Sequence, residues 1–492
     1  MKTERVLHRA VAIAAFMLAV LTGRAAHAQP PLGSELILNT GFESGLAPWF
    51  GLGGASIAQT GADPFAGSSS MSVTNRDDAF DGPGVIIPGS TPDGVYQTSA
   101  WVRIDAPGQH RIQITFKKVD AAGTNFTQAA DLFIEGQSWV QVRGWYTLNR
   151  AGTLTELLMY VEGPEPGVSF RVDEASMRRV ILDPNWRADA DARIEQLRKG
   201  DAVVRVVDTN GQPVAGAQVS AQQVSKSFPF GTALAAGALG IPQYRQFVID
   251  NFNYAVAENA MKWDNTQPGP QSFTFANADA MVDFCADNNI PIRGHNVFWA
   301  VEQFVPGWVR SLNNQQLAQA VSDRVDSIVV RYRNIVTHWD VNNEMLHGNF
   351  FESRLGTQVR ADMFNMVKAA DPAALTFVND FNIITAGDFF AYIDQINQLE
   401  ALGATIDGVG VQGHFVGQVD PPSVLARLDI LAQLNKPIWV SEFDAEIVDK
   451  NLRADAYEDF YRLAYSHPAV EGILMWGFWE GAHWRPDAAI VD

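Results

Sequence analysis

Cysteine is nearly absent from this sequence, because its 492 residues include only Cys285. A single cysteine cannot form an internal disulfide, so the fold must depend on its hydrophobic core. Cys285 lies on the apolar face of a predicted helix, "MVDFCADNN", and no histidine or asparagine follows at a spacing typical of a cysteine nucleophile. We therefore expect core packing, not catalysis, from this thiol.

Positive charge is also scarce, since 36 Lys and Arg residues face 55 Asp and Glu residues, for a formal net charge of −19. This balance, with no run rich in Lys or Arg, argues against a nucleic-acid partner and favours a neutral substrate. A hydrophobic content of 47% and a charged content of 18% are typical of globular proteins. The length predicts two or three domains.

Long apolar runs are missing after the first 28 residues, so we expect no transmembrane helix and no membrane partner. The chain begins "MKTERVLHRAVAIAAFMLAVLTGRAAHAQP", in which Lys2, Arg5 and Arg9 precede an apolar run that ends before the small residues "AHA". This pattern predicts a secretory signal peptide over 1–28, the alternative being an uncleaved anchor. We expect a secreted, extracellular protein.

Residues 34–180 alternate apolar and polar positions in short segments such as "GVYQTSAWVRI", "HRIQITFKKV" and "VSFRVDEASM". Turn residues separate these segments, which predicts an antiparallel β-sandwich or jelly roll. A short charged helix and linker follow over 181–200. The next segment, "AVVRVVDTNGQPVAGAQVSAQQ", predicts a hairpin with Asn210-Gly211 at its turn.

From about residue 228, eight short apolar strands alternate with helix-length segments. The predicted strands are 228–234, 252–259, 291–299, 336–344, 375–381, 408–415, 437–444 and 472–480. This pattern predicts a (β/α)₈ barrel, with a catalytic domain over 201–492. A doubly wound sheet is the alternative, but no Gly-rich phosphate loop follows the first strand.

Active sites of such barrels lie at the carboxyl ends of the strands, and here those ends are rich in polar and aromatic residues. They carry Glu258, Asn259, Lys262, Trp263, His295, Trp299, Asn343, Glu344, Asn379, Asp380, Gln412, His414, Glu442, Asp444, Trp476, Trp479, Glu480 and Trp484. Indole faces beside carboxylates and amides suit sugar rings. A zinc site is a weaker alternative, because the two histidines lie on different strands and no HExxH motif is present.

The fourth and seventh strands each end in a glutamate, Glu344 and Glu442. Glycoside hydrolysis needs one carboxylic acid to protonate the leaving oxygen and one carboxylate at the anomeric carbon. Strands four and seven lie across a barrel from each other, so the two side chains can flank one bond. Each glutamate alone is equally well read as a structural carboxylate, but the polar residues at the other strand ends favour a catalytic pair.

The sequence resembles glycoside hydrolase family 10, the endo-β-1,4-xylanases, over roughly 196–492. The resemblance rests on "AENAMKW", "RGHNVFW", "WDVNNE", "FVNDFN", "GVGVQGHF", "VSEFD" and "LMWGFWE", in this order and spacing. It implies a retaining double displacement with Glu344 as acid/base and Glu442 as nucleophile. It also implies that Asn343 binds the sugar 2-hydroxyl, and that His414 with Asp444 supports the nucleophile.

The resemblance further implies a set of residues that bind the glycone sugars: Glu258, Asn259, Lys262, His295, Trp299, Gln412, Trp476 and Trp484. Three positions depart from the usual pattern. Ser441 stands where Thr is usual, Phe381 where Tyr is common and Asn342 where Val is frequent. None of these changes alters the two carboxylates.

The 34–180 segment resembles carbohydrate-binding module family 22, on "LNTGFESGLAPW", "SVTNRDDAFDGPGV" and "YVEGPEPGVSFRVDEASM". Arg76, Phe80 and Glu162, with Tyr160 adjacent, match the positions that line the sugar groove in that family. Phe80 replaces the usual Trp, so a purely structural role is the alternative. Glu43 and Asp173 are candidate ligands of a structural calcium ion, which prefers hard oxygen ligands.

These observations together predict a secreted, monomeric endo-1,4-β-xylanase that acts on xylan and xylo-oligosaccharides without a catalytic cofactor. The alternatives are a β-1,4-glucanase, a xylan transglycosylase and an inactive polysaccharide-binding protein on the same scaffold. Residues 481–492, "GAHWRPDAAIVD", are too few for the helix that normally follows strand eight. The sequence therefore predicts a barrel without its last helix, part of a longer chain, with apolar side chains of strand eight exposed.

Overall fold

The computed structural model describes residues 29–492, so the predicted signal peptide lies outside the described residues. Across these residues, no helix is both long and apolar enough to cross a membrane. The amino-terminal part is a β-sandwich and the carboxyl-terminal part is a closed barrel of parallel strands. Both architectures predicted from the sequence are therefore confirmed.

The sandwich is built from eleven antiparallel strands. They are β1 (Leu32–Glu35), β2 (Phe50–Gly51), β3 (Ser56–Thr60), β4 (Ser70–Thr74), β5 (Pro83–Ile86), β6 (Gly94–Ile104), β7 (Gln109–Asp120), β8 (Gly123–Glu135), β9 (Val140–Leu148), β10 (Glu156–Glu162) and β11 (Phe170–Val180). One sheet has the order β3-β4-β11-β6-β9, with β1 paired to β11, and the other has the order β2-β5-β10-β7-β8. Because side chains alternate along a strand, Leu157 and Met159 of β10 fill the core, whereas Tyr160 and Glu162 lie on the opposite face.

The helix predicted after the sandwich is α1 (Trp186–Leu197), which packs against a late barrel helix. The predicted hairpin that follows is formed only at its turn. Gly211 N donates to Asp208 O, and a single antiparallel bridge joins Val207 to Pro213. The flanking valines remain exposed, for instance Val203. A turn sequence can thus reverse the chain direction although no strands form beside it. An isolated two-stranded hairpin is not stable unless its apolar side chains pack against a partner.

The barrel strands are β12 (Phe230–Leu234), β13 (Tyr254–Ala257), β14 (Ile292–Trp299), β15 (Val336–Asn343), β16 (Leu375–Asp380), β17 (Gly408–Val416), β18 (Ile438–Glu446) and β19 (Val470–Met475). The α-helices between them are α2 (Pro242–Asn251), α3 (Trp263–Thr266), α4 (Ala276–Asp287), α5 (Gly307–Arg310), α6 (Asn314–Ile328), α7 (Phe350–Leu355), α8 (Gln358–Ala370), α9 (Phe389–Ala401), α10 (Pro421–Leu431) and α11 (Lys450–Ser466). Each strand pairs in parallel with the next, and β12 pairs with β19 to close the barrel.

Two apolar layers hold the barrel. Inside it, Val256, Phe377, Trp439 and Leu474 form a cluster of their own, separate from the layer between strands and helices. Cys285 belongs to the outer layer, where burial raises the pKa of its thiol to about 12. The filled interior leaves the carboxyl ends of the strands as the open, concave end of the barrel.

The end of the chain differs from the sequence prediction in two respects. β19 stops at Met475, well before Glu480, and Gly477 has a φ of 104° that only glycine adopts readily. No α-helix follows β19 in the described chain, yet the outward side chains of Ile473 and Met475 are only 1% and 0% exposed. The prediction that strand eight is exposed is therefore wrong.

Phe478 explains much of this coverage. Its ring stacks on Phe247 and Tyr244 of α2 at centroid distances of 4.7 and 4.8 Å. The chain then folds back, because Ile490 N and Val491 N both donate to Phe478 O. A groove of about 590 Å³ remains on the outside of the barrel, lined by α1, α11, residues 226–228, Phe230 of β12 and Ile473 of β19.

The sandwich packs directly on the barrel. Trp145 of β9 meets the ring of Phe389 of α9 at 4.9 Å, and the Arg427 guanidinium lies 5.3 Å from the Trp145 ring. Arg143 and Asp394 form an ion pair of 2.6 Å at the edge of this contact. A buried indole shared by the two parts fixes the sandwich against the start of α9.

Candidate active site

Glu344 lies one residue beyond β15, at the open end of the barrel, and is 8% exposed. Its φ of 59° is left-handed, and its backbone N–H donates to Asn379 O at 2.9 Å. Trp299 Nε1 donates to Glu344 Oε2 at 2.7 Å, and Gln412 Nε2 donates to Oε1 at 3.1 Å. The carboxyl group is thus held by neutral donors from two other strands, β14 and β17.

The electrostatic surroundings of Glu344 favour its protonated form. Burial raises the pKa of Glu344 and outweighs the hydrogen bonds from Gln412 and Trp299. The charges of Asp380 and Glu442 raise this pKa further. A carboxyl group in this setting is suited to donate a proton.

Glu442 lies within β18 and is 4% exposed. Asn379 joins it to the other glutamate, because Asn379 Nδ2 lies 2.9 Å from both Glu442 Oε1 and Asn343 Oδ1. Asn343 Nδ2 in turn donates to Glu344 Oε1 at 3.1 Å. The sequence placed Asn379 at the end of a barrel strand but did not assign it a role in the site.

His414 connects Glu442 to Asp444. Its Nε2 lies 3.2 Å from Glu442 Oε2, and its Nδ1 lies 2.9 Å from Asp444 Oδ2. Burial lowers the pKa of His414, but the hydrogen bonds to the two carboxylates outweigh it and raise the pKa to about 9. Trp484 Nε1 also donates to Asp444 Oδ2, at 2.7 Å, so Trp484 lies over His414.

The opposite wall comes from the segment after β13. Lys262 Nζ donates to Asn259 Oδ1 at 2.8 Å and lies 4.7 Å from the centre of the Trp299 ring. Burial lowers the pKa of Lys262, and the charges of Glu442, Glu258 and Glu344 oppose this shift. Burial also raises the pKa of Glu258, against the charge of Lys262. One half-buried cation therefore interacts with three glutamates.

His295 completes the floor of the site. Its Nδ1 lies 3.0 Å from Asp340 Oδ2, and Asp340 also receives the fully buried Arg293 guanidinium. The imidazole meets the Trp476 ring edge-on at 5.1 Å. All thirteen predicted barrel residues thus lie at or next to the open end of one barrel.

The predicted sugar-binding residues of the sandwich lie on β10 and in the loop between β4 and β5. Arg76 is 3% exposed, and its guanidinium donates to main-chain carbonyls that include those of Asp81, Pro164 and Val168. It ties two loops together through these carbonyls, and its contact with sugar stays a prediction. Phe80 lies in one of these loops and is 55% exposed.

Tyr160 and Glu162 lie on one face of β10, as their alternation requires. Glu162 accepts a hydrogen bond from Thr115 Oγ1 of the adjacent strand β7. Burial raises the pKa of Tyr160 to about 12 and also raises that of Glu162. The edge strand β8 of the same sheet carries Phe133, which is 68% exposed and lies opposite Arg111 in the register of β7 and β8.

Glu43 and Asp173 flank the same loop. Glu43 accepts from Ser68 N and Ser69 N, and Asp173 Oδ2 accepts from Phe65 N and Ala66 N. Burial raises the pKa of Asp173, and the Glu43 charge adds to that shift. In residues 29–492, no three His, Cys, Asp or Glu side chains cluster closely enough to hold a metal ion.

Comparison with known families adds to this geometry. Residues 220–491 match the model of glycosyl hydrolase family 10, and residues 34–167 match a carbohydrate binding domain. The first match covers more than half of the chain.

This chain belongs to glycosyl hydrolase family 10.

Two named proteins are similar in sequence to this family-10 chain. It is 44% identical to anti-sigma-I factor RsgI6 of Acetivibrio thermocellus, over 62% of this chain and 40% of the relative. It is 33% identical to endo-1,4-beta-xylanase 3 of Arabidopsis thaliana, over 94% of this chain and 65% of the relative. The chain therefore spans only part of the length of these relatives.

A solved structure spans both parts of the family-10 chain. It is the Clostridium thermocellum N-terminal endo-1,4-beta-D-xylanase 10B, its CBM22-1 and GH10 modules complexed with xylohexaose. The match has 18% identity, covers 93% of each chain and has a TM-score of 0.46.

The departures from the family pattern have local consequences. Ser441 keeps the hydroxyl, which donates to Asn379 Oδ1. Phe381 lacks the hydroxyl of tyrosine, but its ring stacks on the His347 ring at a centroid distance of 3.8 Å. Asn342 is buried, with its Nδ2 3.4 Å from Met363 Sδ and no hydrogen-bond partner for its Oδ1 within the described residues. Hydrolysis in this family needs no cofactor.

Proposed function

We propose that this chain hydrolyses internal β-1,4-xylosidic bonds of xylan with retention of configuration. The observation that carries the proposal is the pair of buried glutamates, Glu344 and Glu442, joined through Asn343 and Asn379 but held in opposite surroundings. Neutral donors and nearby negative charge surround Glu344, whereas an imidazolium lies beside Glu442. Such contrast between two carboxyl groups assigns one as acid and the other as nucleophile.

In the first step Glu442 attacks the anomeric carbon and the glycosidic carbon–oxygen bond breaks. Glu344 gives its proton to the departing oxygen. Asn343 lies between the two carboxyl groups, where an amide can bind the sugar 2-hydroxyl as positive charge develops on the ring. The products are a xylosyl ester of Glu442 and a shortened chain with a free hydroxyl.

In the second step the ionised Glu344 takes a proton from water as the water oxygen attacks the anomeric carbon. The ester bond breaks and Glu442 leaves as a carboxylate. The His414 cation, neutralised in part by Asp444, stabilises that carboxylate in both steps. Both residues act through Glu442 and so position and stabilise the nucleophile.

The remaining barrel residues would bind the sugars on the Glu442 side of the cleaved bond. They are Glu258, Asn259, Lys262, His295, Trp299, Gln412, Trp476 and Trp484. Trp484 is 49% exposed and lies over His414 at 4.8 Å, so it forms the outer wall. A xylose unit lacks the exocyclic CH₂OH of glucose, and we propose that this wall excludes hexose units.

The sandwich would bind xylan on the sheet face that carries Tyr160 and Glu162, with exposed Phe80 and Phe133 nearby. Buried polar groups beside exposed rings suit a sugar chain. Glu43 and Asp173 would supply two ligands of a structural calcium ion, because their carboxylates lie by one loop and the Glu43 charge raises the pKa of Asp173. Main-chain carbonyls and water would have to supply the other ligands.

We propose that residues 34–180 form the binding module, 181–200 the linker and 201–492 the catalytic domain. Export of the mature chain as a monomer also remains part of this proposal. The homologous xylanase and the carbohydrate binding domain are both consistent with an extracellular polysaccharide as substrate.

Release of reducing sugar from xylan and from carboxymethylcellulose tests the activity. We expect release from xylan only, and loss of it in Glu442→Ala. Equal release from both polymers would favour a β-1,4-glucanase, and growth of labelled oligosaccharides would favour a transglycosylase. Binding of xylan without any release would mean that the chain is an inactive binding protein.

A further inference from the structure

The turn after β15 places Glu344 in an unusual backbone conformation. Its φ of 59° lies in the left-handed region, which residues other than glycine adopt only when their surroundings hold them there. Three hydrogen bonds hold this turn. Glu344 N donates to Asn379 O, His347 N donates to Glu344 O, and Leu346 N donates to the side chain of Asp380 at 2.8 Å.

The carboxylate of Asp380 binds several groups of this turn. It is 0% exposed, and besides the Leu346 N–H its carboxylate receives the Phe381 N–H at 3.0 Å. His347 Nδ1 lies 2.6 Å from the same oxygen as the Phe381 N–H. The imidazole stacks on the Phe381 ring, and its Nε2 lies 3.3 Å from Asp388 Oδ2.

The charge of Asp380, which is paired with His347, affects the pKa of Glu344. Burial raises the pKa of Asp380, and His347 opposes that shift. Burial lowers the pKa of His347, but the bonds to Asp380 and Asp388 outweigh it and raise the pKa to about 9. Below that pH the cluster therefore contains an imidazolium beside a buried carboxylate, and the Asp380 charge raises the pKa of Glu344.

Other charged and titratable groups face the same two carboxyl groups. Arg360 and Tyr392 interact with Asp380 from α8 and α9. Glu442 and Lys262 interact with Glu344 from the far side of the site. Asp380 and Glu442 are thus the two negative charges that raise the pKa of Glu344.

We propose that Asp380 and His347 are positioning residues for proton donation, which hold the Glu344 turn and keep Glu344 in its proton-bearing form during turnover. This inference rests on the proposed role of Glu344 as the acid. Asp380 acts through the turn and through its charge, and His347 acts by fixing and balancing Asp380.

Proton donation matters only when the leaving group is a poor one. Cleavage of xylan expels a sugar alkoxide, which needs the Glu344 proton, whereas a dinitrophenolate leaves without help. A defect in proton donation should therefore lower turnover of xylan selectively. A general defect in folding should lower turnover of both substrates equally.

The experiment compares Asp380→Asn and His347→Gln with the wild-type full chain, on xylohexaose and on 2,4-dinitrophenyl β-xylobioside, from pH 4 to pH 9. We expect kcat on xylohexaose to fall by about 10- to 100-fold, and kcat for the first step on the aryl substrate by less than about 3-fold. In Asp380→Asn the basic limb of the xylohexaose profile should move to lower pH, because the neutral amide no longer disfavours ionisation of Glu344.

The chain offers a matched control in His110→Gln. His110 Nδ1 pairs with Glu165 at 2.8 Å in the sandwich, so this variant removes a comparable pair away from the barrel. It should leave both substrates and the pH profile unchanged. Melting temperatures of all variants identify any that fail to fold, and if Asp380→Asn does so, His347→Gln decides the matter.

Two results would overturn the inference: an equal fall on both substrates, or no change of rate and pH profile with either variant. Glu344→Ala separates failure of this inference from failure of the proposed function. If Glu344→Ala shows selective loss on xylohexaose while the Asp380 and His347 variants do not, only the positioning role fails. If Glu344→Ala itself shows no such selectivity, the proposed acid is wrong.

Discussion

His414 Nε2 lies 3.2 Å from Oε2 of Glu442. Because the two bonded carboxylates raise the pKa of His414 to about 9, the imidazole is a cation through the acidic and neutral range. Its positive charge lies beside the proposed nucleophile. We expect His414→Ala to move the acidic limb of kcat/KM to higher pH, because this stabilising charge is then lost. Initial rates on xylo-oligosaccharides between pH 3 and pH 8 measure this, and an unmoved limb would remove His414 from its proposed role.

The two proposed catalytic glutamates should differ sharply when each is replaced. We expect Glu442→Ala to abolish turnover of every substrate, because no nucleophile remains. Glu344→Ala should lose about 10²- to 10⁴-fold on xylan and far less on an activated aryl xylobioside. NMR of the first product from wild-type protein should show the β-anomer, as retention requires. An initial α-anomer would contradict the double displacement.

Asn342 offers a test of stability that does not involve the chemistry. Its buried Oδ1 has no partner among residues 29–492 of the structure, and a buried polar atom without a partner costs about 1–3 kcal/mol. We expect Asn342→Val to raise the free energy of unfolding by about 1 kcal/mol and to leave kcat unchanged. Denaturant titration measures the first and xylan hydrolysis the second. A less stable variant would mean that this amide is hydrogen-bonded in solution.

The sandwich provides a test of its binding face. Glu162→Ala and Phe133→Ala should weaken retention of the chain in xylan-containing gels, because both residues belong to the β10-β7-β8 face. Trp139→Ala alters the turn between β8 and β9, where the indole contacts Phe65, and serves as the control. Arg76→Ala should instead lower the melting temperature, because it removes the ties between two loops. Unchanged mobility of the first two variants would place the sugar site elsewhere or remove it.

Because the sandwich packs on the barrel, we expect removal of the sandwich to lower the stability of the barrel. Deletion of 29–180 should spare the chemistry on short xylo-oligosaccharides but lower the melting temperature, because Phe389 loses the buried Trp145 ring. Trp145→Ala in the full chain should lower stability by on the order of 3 kcal/mol. Calorimetry measures both, and loss of action on insoluble xylan alone, with unchanged stability, would show that the contact contributes little.

The sequence was sufficient for much of the fold, because apolar periodicity reports directly which faces of strands are buried. Alternation in segments such as "VSFRVDEASM" predicted the sandwich, and eight βα repeats predicted the barrel. Glu344 and Glu442 could be predicted as a pair because the carboxyl ends of all barrel strands lie at the same end of the barrel. Residues far apart in sequence are therefore expected to lie close together there.

Other features depended on contacts that no local pattern records. Arg76 has the chemistry of a sugar ligand, and only the tertiary structure shows that main-chain carbonyls of distant loops occupy its guanidinium. Strand eight was expected to be exposed, but Phe478 folds back onto α2 and Ile473 is buried. The cluster of Asp380, His347 and Asp388 likewise joins two separate loops. Periodicity specifies which side of an element faces inward, whereas the identity of the partner is decided by packing between residues remote in sequence.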